Sequence, residues 1–160
     1  MSEIDFSKEI WSTPNFHPKV LVIGSFDVPH YGHFLFLKEA AKLGKVIIAL
    51  GTDAWQTQYK RKPVLTYQER KATLEMLPWV TQCVRRDQDS TREIVNMVLP
   101  KYLPYGSDWT LNEYLAINGL TQEYVDRHGL KMVRIVREGG MSSSKIIQRC
   151  IDIGEKWRTH

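Results

Sequence analysis

The chain has 160 residues, of which 42% are hydrophobic and 25% charged, and its formal net charge is +4. This balance is typical of a globular domain, and the mild positive charge suits a phosphorylated ligand as well as a nucleic acid. No stretch is apolar and long enough to span a membrane, and residues 1–10 lack the apolar run of a secretory signal, so we expect a cytoplasmic protein. Cys83 and Cys150 stand in no motif, and we expect two buried thiols.

The regular part of the chain begins after residues 1–18, which we expect to be an irregular lead-in. Two short apolar runs, Lys19–Gly24 and Lys45–Gly51, predict strands that are buried on both faces. Residues 32–43 between them predict a helix that ends at Gly44. Such a strand–helix–strand unit predicts parallel strands joined by a right-handed crossover.

The same alternation continues to the end of the chain. Thr66 and Ser90 each precede a helical pattern and have glutamate three residues later, the arrangement of a capping box. We predict helices over 66–76, 90–98 and 142–151, strands over 80–84, 101–106 and 130–136, and one or two helical turns within 111–127. Pro104 weakens the fourth strand. The alternation predicts an α/β protein, a Rossmann-like three-layer α/β/α domain over residues 19–160 with a mostly parallel five-stranded sheet.

The segment after the first strand carries the chemistry. It reads Gly24-Ser-Phe-Asp-Val-Pro-His-Tyr-Gly-His33 and lies at the carboxyl end of a strand, where open α/β sheets bind ligands. Gly24 allows a tight turn, and Gly32 removes a side chain where the helix begins, so the first N–H groups of the helix face an anion. His30 and His33 are three residues apart, and both imidazoles can face that anion.

With this segment the chain resembles the cytidylyltransferases of the HxGH nucleotidyltransferase superfamily, and is most similar to the glycerol-3-phosphate cytidylyltransferases. Four more segments follow in the family's order and extend the resemblance over residues 20–151: Gly51-Thr-Asp53, Tyr67-Gln-Glu-Arg70, Gly106-Ser-Asp-Trp109 and Arg137-Glu-Gly-Gly-Met-Ser-Ser-Ser144. The resemblance implies attack by an acceptor phosphate on the α-phosphate of CTP, release of pyrophosphate, and no covalent enzyme intermediate. It also implies Mg²⁺ held mainly through the nucleotide phosphates, and a homodimer.

The resemblance assigns roles to the matching residues. The catalytic residues it implies are His30, His33, Arg61 and Arg137, which would hold the phosphates and stabilise charge that spreads in the transition state. It places Asp27 beside the metal-bound site, and Arg70 as a fork onto phosphate oxygens. The other nucleotide-binding candidates are Gly24, Ser25, Phe26, Gly32, Lys62, Gly106, Asp108, Trp109, Gly140, Met141, Ser142, Ser143 and Ser144.

Three departures from the family pattern leave the phosphorylated acceptor open. Tyr59 stands where the family has a lysine, Ser107 replaces an acid, and Glu138 replaces a threonine. Simpler structural roles also exist: core packing for Trp109, a surface ion pair for Arg70, a solvated charge run for residues 60–62, and a plain helix cap for the serines.

Three other functions compete with cytidylyl transfer to a small phosphorylated alcohol. The nearest is an adenylyltransferase that acts on a sugar phosphate. A second is a nucleotide-sensing module without turnover. A nucleic-acid binder ranks last, because the short basic loop lacks interleaved aromatic residues or a groove-reading helix.

Overall fold

The computed structural model describes residues 17–136 and 140–158, which fold around a single parallel sheet. The strands are β1 (Lys19–Gly24), β2 (Lys45–Gly51), β3 (Val80–Arg86), β4 (Tyr102–Gly106) and β5 (Lys131–Ile135). The helices in these residues are α1 (Tyr31–Ala41), α2 (Asp53–Tyr59), α3 (Tyr67–Glu75), α4 (Thr91–Val98), α5 (Leu111–Ile117), α6 (Gln122–Arg127) and α7 (Ser143–Arg158). The predicted α/β fold class is confirmed, and every strand pair in the sheet is parallel.

The strand order is β3-β2-β1-β4-β5, so the chain reverses its direction of travel across the sheet between β1 and β4. In open α/β sheets, ligands bind in the crevice that opens at this switch point, beyond the carboxyl ends of the strands. β1 and β4 share a single register pair, Val20 with Tyr102, whereas β1 and β2 pair over six residues. The loop after β1 therefore lies at the crevice.

The sheet is covered on both faces, as the continuous apolar runs of β1 and β2 predict. On one face, Val22 and Ile48 pack in a cluster with Leu37 of α1 and Leu74 of α3. On the other face, a second cluster brings strand residues together with helices α4, α5 and α6, and its members include Leu21, Ile47, Ala49, Ile94, Val95, Leu115 and Val125. Each large apolar side chain buried in this way contributes about 1.5–3 kcal/mol relative to an exposed one.

Several predicted boundaries agree with the structure. β1 and β2 have the predicted bounds, and α3 has the predicted capping box, in which Thr66 and Glu69 exchange side-chain and backbone hydrogen bonds. The predicted break at Gly119 separates α5 from α6, and the glycine has a left-handed φ of 64°.

Pro104 lies inside β4 although proline has no N–H group to donate to a neighbouring strand. It fits there because the ladder to β1 is confined to Tyr102, while the ladder to β5 runs from Tyr102 to Gly106.

Other predictions were wrong. The helix α2 was missed, although Thr52 caps it by accepting from the Trp55 N–H at 3.3 Å. Ser90 does not cap α4 with its side chain, because its hydroxyl bonds the backbone of Asp87 instead.

Cys83 is buried as predicted, whereas Cys150 is exposed on α7. β3 and α7 also extend beyond their predicted ends. No helix in the described part of the chain has the length and apolar content needed to cross a membrane.

Candidate active site

The loop between β1 and α1 is held in an unusual backbone conformation. Phe26 and Val28 have positive φ angles of 49° and 50°, which non-glycine residues adopt at a cost of about 1–3 kcal/mol each. Gly24 is required at the strand end, because a Cβ there would lie 2.8 Å from the Phe26 ring. Strain of this kind persists only where neighbouring groups fix the backbone, and it is common at functional sites.

His30 and His33 lie side by side at the start of α1. Their ring centroids are 3.9 Å apart with an interplanar angle of 29°, a stacked arrangement. His30 is 6% exposed and caps the helix, because its Nδ1 accepts a 3.1 Å hydrogen bond from the Gly32 N–H. Since Nδ1 acts as the acceptor, the neutral ring carries its proton on Nε2.

Gly32 is needed for this geometry, because a Cβ there would lie 3.0 Å from the His30 ring.

Asp27 ties the loop after β1 to the basic loop that precedes α3. Its carboxylate accepts from the Arg61 guanidinium at 2.5 Å and from the N–H groups of Val64 and Leu65 at 3.0 and 3.1 Å. Burial raises the pKa of this carboxyl, but the hydrogen bonds from Leu65, Val64 and Arg61 outweigh it and hold the pKa below the ordinary value. These contacts occupy the carboxylate, so the expectation that Asp27 contacts a metal site finds no support in the geometry.

Arg70 is a structural residue and does not face a phosphate. It is fully buried, and its guanidinium donates to the backbone oxygens of Leu65, Ser25 and Gly51 at 2.6–3.1 Å. It also pairs with Asp53 at 2.7 Å. The predicted fork onto phosphate is therefore wrong, and so is the alternative of a surface ion pair. Arg70 instead fixes the carboxyl ends of β1 and β2 relative to the basic loop.

The amino end of α7 meets the amino end of α1. The Ser143 hydroxyl donates to the backbone oxygen of Asp27, and Ser142 accepts from the Lys145 N–H at 3.2 Å as a helix cap. The Met141 backbone oxygen would lie 3.7 Å from a Cβ placed on Gly32. Free N–H groups at helix amino ends attract anions, so two such ends next to two imidazoles are chemically suited to bind a phosphate.

A small cavity opens from this arrangement towards β4. It has a volume of about 140 Å³, and its lining includes Gly24, Phe26, His33, Gly106 and Trp109. Trp109 is half-buried at its edge, so the tryptophan is available to a ligand and is not simple core.

The structure brings together most of the predicted site residues. Those that lie at the junction of β1, α1, the basic loop and α7 are Gly24, Ser25, Phe26, Asp27, His30, Gly32, His33, Arg61, Met141, Ser142 and Ser143.

Lys62, Asp108 and Ser144 are exposed, and Gly140 has a left-handed φ of 57° before α7. Arg137 and Glu138 lie outside the described residues. Among the described residues no group of three or more His, Cys, Asp or Glu side chains could hold a metal ion.

Sequence reasoning missed a second cluster beside the site, at the carboxyl ends of β2 and β3. Arg86, the last residue of β3, is 2% exposed, and its guanidinium lies 4.1 Å from the ring centroid of Trp55. Its Nε donates to the Thr91 hydroxyl at 3.1 Å. The predicted strand ended at residue 84, which left Arg86 out of the strand end where ligand contacts are expected. A predicted strand that continued through residue 86 would have placed Arg86 at the strand end.

The fold and this junction define the class of the protein. A parallel sheet whose switch point carries paired imidazoles beside helix amino ends is suited to bind the phosphates of a nucleotide. The sequence model of the family described as "Cytidylyltransferase-like" matches residues 21–149. The chain belongs to this cytidylyltransferase-like family.

The chain is similar to curated proteins that carry two different names, FAD synthase and bifunctional protein HldE. A FAD synthase of Archaeoglobus fulgidus is 30% identical over 136 residues, which cover 82% of this chain and 96% of that protein. A FAD synthase of Ferroglobus placidus is 28% identical over 84% of this chain and 89% of that protein. The bifunctional protein HldE of Marinomonas sp. is 29% identical over 81% of this chain, but the match spans only 27% of HldE.

Among solved structures, the lipopolysaccharide core biosynthesis protein of Thermoplasma volcanium superposes with a TM-score of 0.64 at 24% identity, over 78% of this chain and all of that one. At this level of identity the likeness shows a shared fold.

Proposed function

We propose that the chain transfers a nucleoside monophosphate from a nucleoside triphosphate to a phosphate group of an acceptor and releases pyrophosphate. The observation that carries the proposal is the stacked pair His30 and His33 between the amino ends of α1 and α7. An acceptor phosphate oxygen forms the new bond to the α-phosphorus as the bond to the bridging oxygen of the β-phosphate breaks. Pyrophosphate leaves with that electron pair, and no side chain forms a covalent bond.

The described residues supply position and positive potential for this step. In the neutral ring of His30 the Nε2–H is the donor, and it would bind an oxygen of the triphosphate. The helix N–H groups add to this potential. Arg61 in the basic loop adds a further positive charge, and its ion pair with Asp27 fixes its position. Preorganised donors of this kind stabilise the charge that develops on the phosphate oxygens. Mg²⁺ would be held by the nucleotide phosphates and would neutralise part of their charge.

The identity of the nucleotide has two candidates. The resemblance to glycerol-3-phosphate cytidylyltransferases favours CTP, since the chain keeps Asp108 and Trp109 in the segment that those enzymes place beside cytidine. The relatives named FAD synthase favour ATP, because FAD contains an adenylate joined to a flavin phosphate.

The resemblance to the cytidylyltransferases also predicts a homodimer, which size-exclusion chromatography with light scattering would test.

A donor and acceptor panel tests the proposal. Purified protein with Mg²⁺ is incubated with CTP, ATP, GTP or UTP and a set of phosphorylated acceptors, and pyrophosphate release and product mass are measured. The proposal predicts one nucleotide-linked product and stoichiometric pyrophosphate. Turnover with ATP and none with CTP would exclude cytidylyl transfer. Binding of a nucleotide without turnover of any acceptor would identify a sensor instead.

A further inference from the structure

A groove beside the phosphate-binding junction has no role in the transfer step described above. Its volume is about 520 Å³, and it lies between α2, the end of β3, the start of α4 and the end of α5. A smaller cavity of about 160 Å³ continues from it to Gly24 and Ser25 at the end of β1. The two share five lining residues: Trp55, Tyr59, Arg86, Ile117 and Asn118. The two together form a space that extends from the loop after β1 to α2, α4 and α5.

Arg86 lies at the wall common to both spaces, and its guanidinium is incompletely paired. The side chain is 2% exposed, and its Nη1 is shielded from solvent without a hydrogen-bond partner among residues 17–136 and 140–158. No carboxylate of those residues forms an ion pair with it. Arg70 offers a comparison within the same chain, because it is equally buried but has three backbone oxygens and Asp53 as acceptors.

This difference indicates that the unpaired Nη1 of Arg86 is a binding group for a ligand. Buried charges in proteins are normally paired or bound to a ligand, because an unpaired one is costly. Burial lowers the pKa of Arg86, and charge interactions with Tyr114 and Tyr59 offset this only in part. The face of the guanidinium rests on Trp55 and its Nε is bound to Thr91, so the group is already oriented. A ligand oxygen is the group that this arrangement lacks.

The aromatic lining and the volume of the groove indicate which kind of ligand fits it. Trp55 and Tyr59 stack with ring centroids 5.1 Å apart, and Tyr59 is 44% exposed, so this aromatic wall offers the ring of Tyr59 to a flat apolar body. A volume near 520 Å³ lies in the range of pockets that bury drug-sized ligands and is large for a three-carbon phosphate. Tyr59 replaces a lysine of the family pattern, so this wall is a feature of the chain itself.

We propose that Arg86 binds a carbonyl or carboxylate oxygen at the far end of the phosphorylated acceptor, whose flat ring lies against Tyr59 of the aromatic pair. The inference rests on the proposed function, since it concerns the acceptor of the same reaction. It assigns the acceptor to planar, oxygen-bearing phosphates and not to small polyol phosphates. Arg86 is thereby the residue that determines acceptor specificity.

The test compares Arg86→Met with Arg85→Met, a matched control at the neighbouring exposed arginine, which pairs with Asp87. Three acceptors are titrated into each protein by calorimetry, without nucleotide and then with a non-hydrolysable nucleotide analogue. They are riboflavin 5′-phosphate, a sugar 1-phosphate and glycerol 3-phosphate. Steady-state rates are measured with the nucleotide that the wild type uses. Melting temperatures are recorded for all proteins.

The inference predicts that the wild type binds the planar acceptor at least tenfold more tightly than the other two. Arg86→Met should weaken that binding by about 10–100-fold, because a hydrogen bond to a charged group is lost. Its nucleotide KM and melting temperature should stay near those of Arg85→Met. Arg86→Lys should recover part of the affinity.

Three results would overturn the inference: equal binding of all three acceptors or of none, an effect of Arg86→Met on nucleotide KM alone, or a large loss of melting temperature in both Arg86 variants. Failure of the proposed function is a separate result, because it appears as absent turnover, while the titrations without chemistry still decide the role of Arg86.

Discussion

Substitution of His30 by asparagine separates the two roles that the structure gives this histidine. The imidazole caps α1 through Nδ1 and stacks on His33, and in the proposed function its Nε2–H binds the triphosphate. Asparagine is among the best capping residues, and its side-chain oxygen can accept from the Gly32 N–H. His30→Asn therefore keeps the cap, which is an acceptor, and removes the Nε2–H donor, whereas His30→Ala removes both the cap and the donor.

The magnitudes differ enough to be separated. Loss of a cap costs about 0.5–2 kcal/mol, which for a chain of this size lowers the melting temperature by roughly 1–8 °C. Loss of one preorganised donor to the transition state lowers kcat by about 10²–10³-fold. We expect His30→Asn to melt near the wild-type temperature and His30→Ala several degrees lower, while both lose kcat to a similar degree.

The assay is pyrophosphate release under saturating nucleotide and acceptor, paired with calorimetric melting. His128→Asn is the control, because that histidine is exposed at the end of α6 and stacks on Tyr124. Wild-type kcat in His30→Asn would refute the reasoning, since the imidazole would then serve only as a cap. A fall in melting temperature of both variants without a change in kcat would lead to the same conclusion.

Three further substitutions test other parts of the site. Arg70→Met should lower the free energy of unfolding by about 3–5 kcal/mol, because it leaves buried oxygens and Asp53 without their cation. Nucleotide affinity measured below the melting temperature should be unchanged. A selective loss of nucleotide affinity would instead mean that Arg70 binds a phosphate. Gly32→Ala should lower kcat, because its Cβ would lie 3.0 Å from the His30 ring and displace the imidazole; wild-type kcat would contradict this. Asp27→Asn should weaken the hold on Arg61 and lower kcat. Since the pKa of Asp27 is below 3.8 in the folded protein, its carboxylate stabilises the wild type at neutral pH, and this contribution is lost as the pH falls from 3.8 through the folded value; acid unfolding of the variant should lack this component.

The sequence by itself determined the elements whose signals are local. The apolar runs of β1 and β2 show their burial directly, and the capping box at Thr66 lies within four residues. The motif from Gly24 to His33 is also continuous, so its position after β1 and at the start of α1 follows from the order of the residues. The pairing of His30 and His33 is a consequence of helical spacing.

Tertiary structure decided the roles that depend on contacts between distant segments. Asp27 looks like a metal-side carboxylate in the sequence, but the fold brings the Val64 N–H, 37 positions away, to its oxygens. Arg70 matches a phosphate-binding pattern, yet it reaches Ser25 across 45 positions and is buried there. The incomplete pairing of Arg86 is likewise invisible in the sequence. Local patterns fix which segments become strands and helices, whereas the environment of a charged side chain is set by residues that only the folded sheet brings into contact.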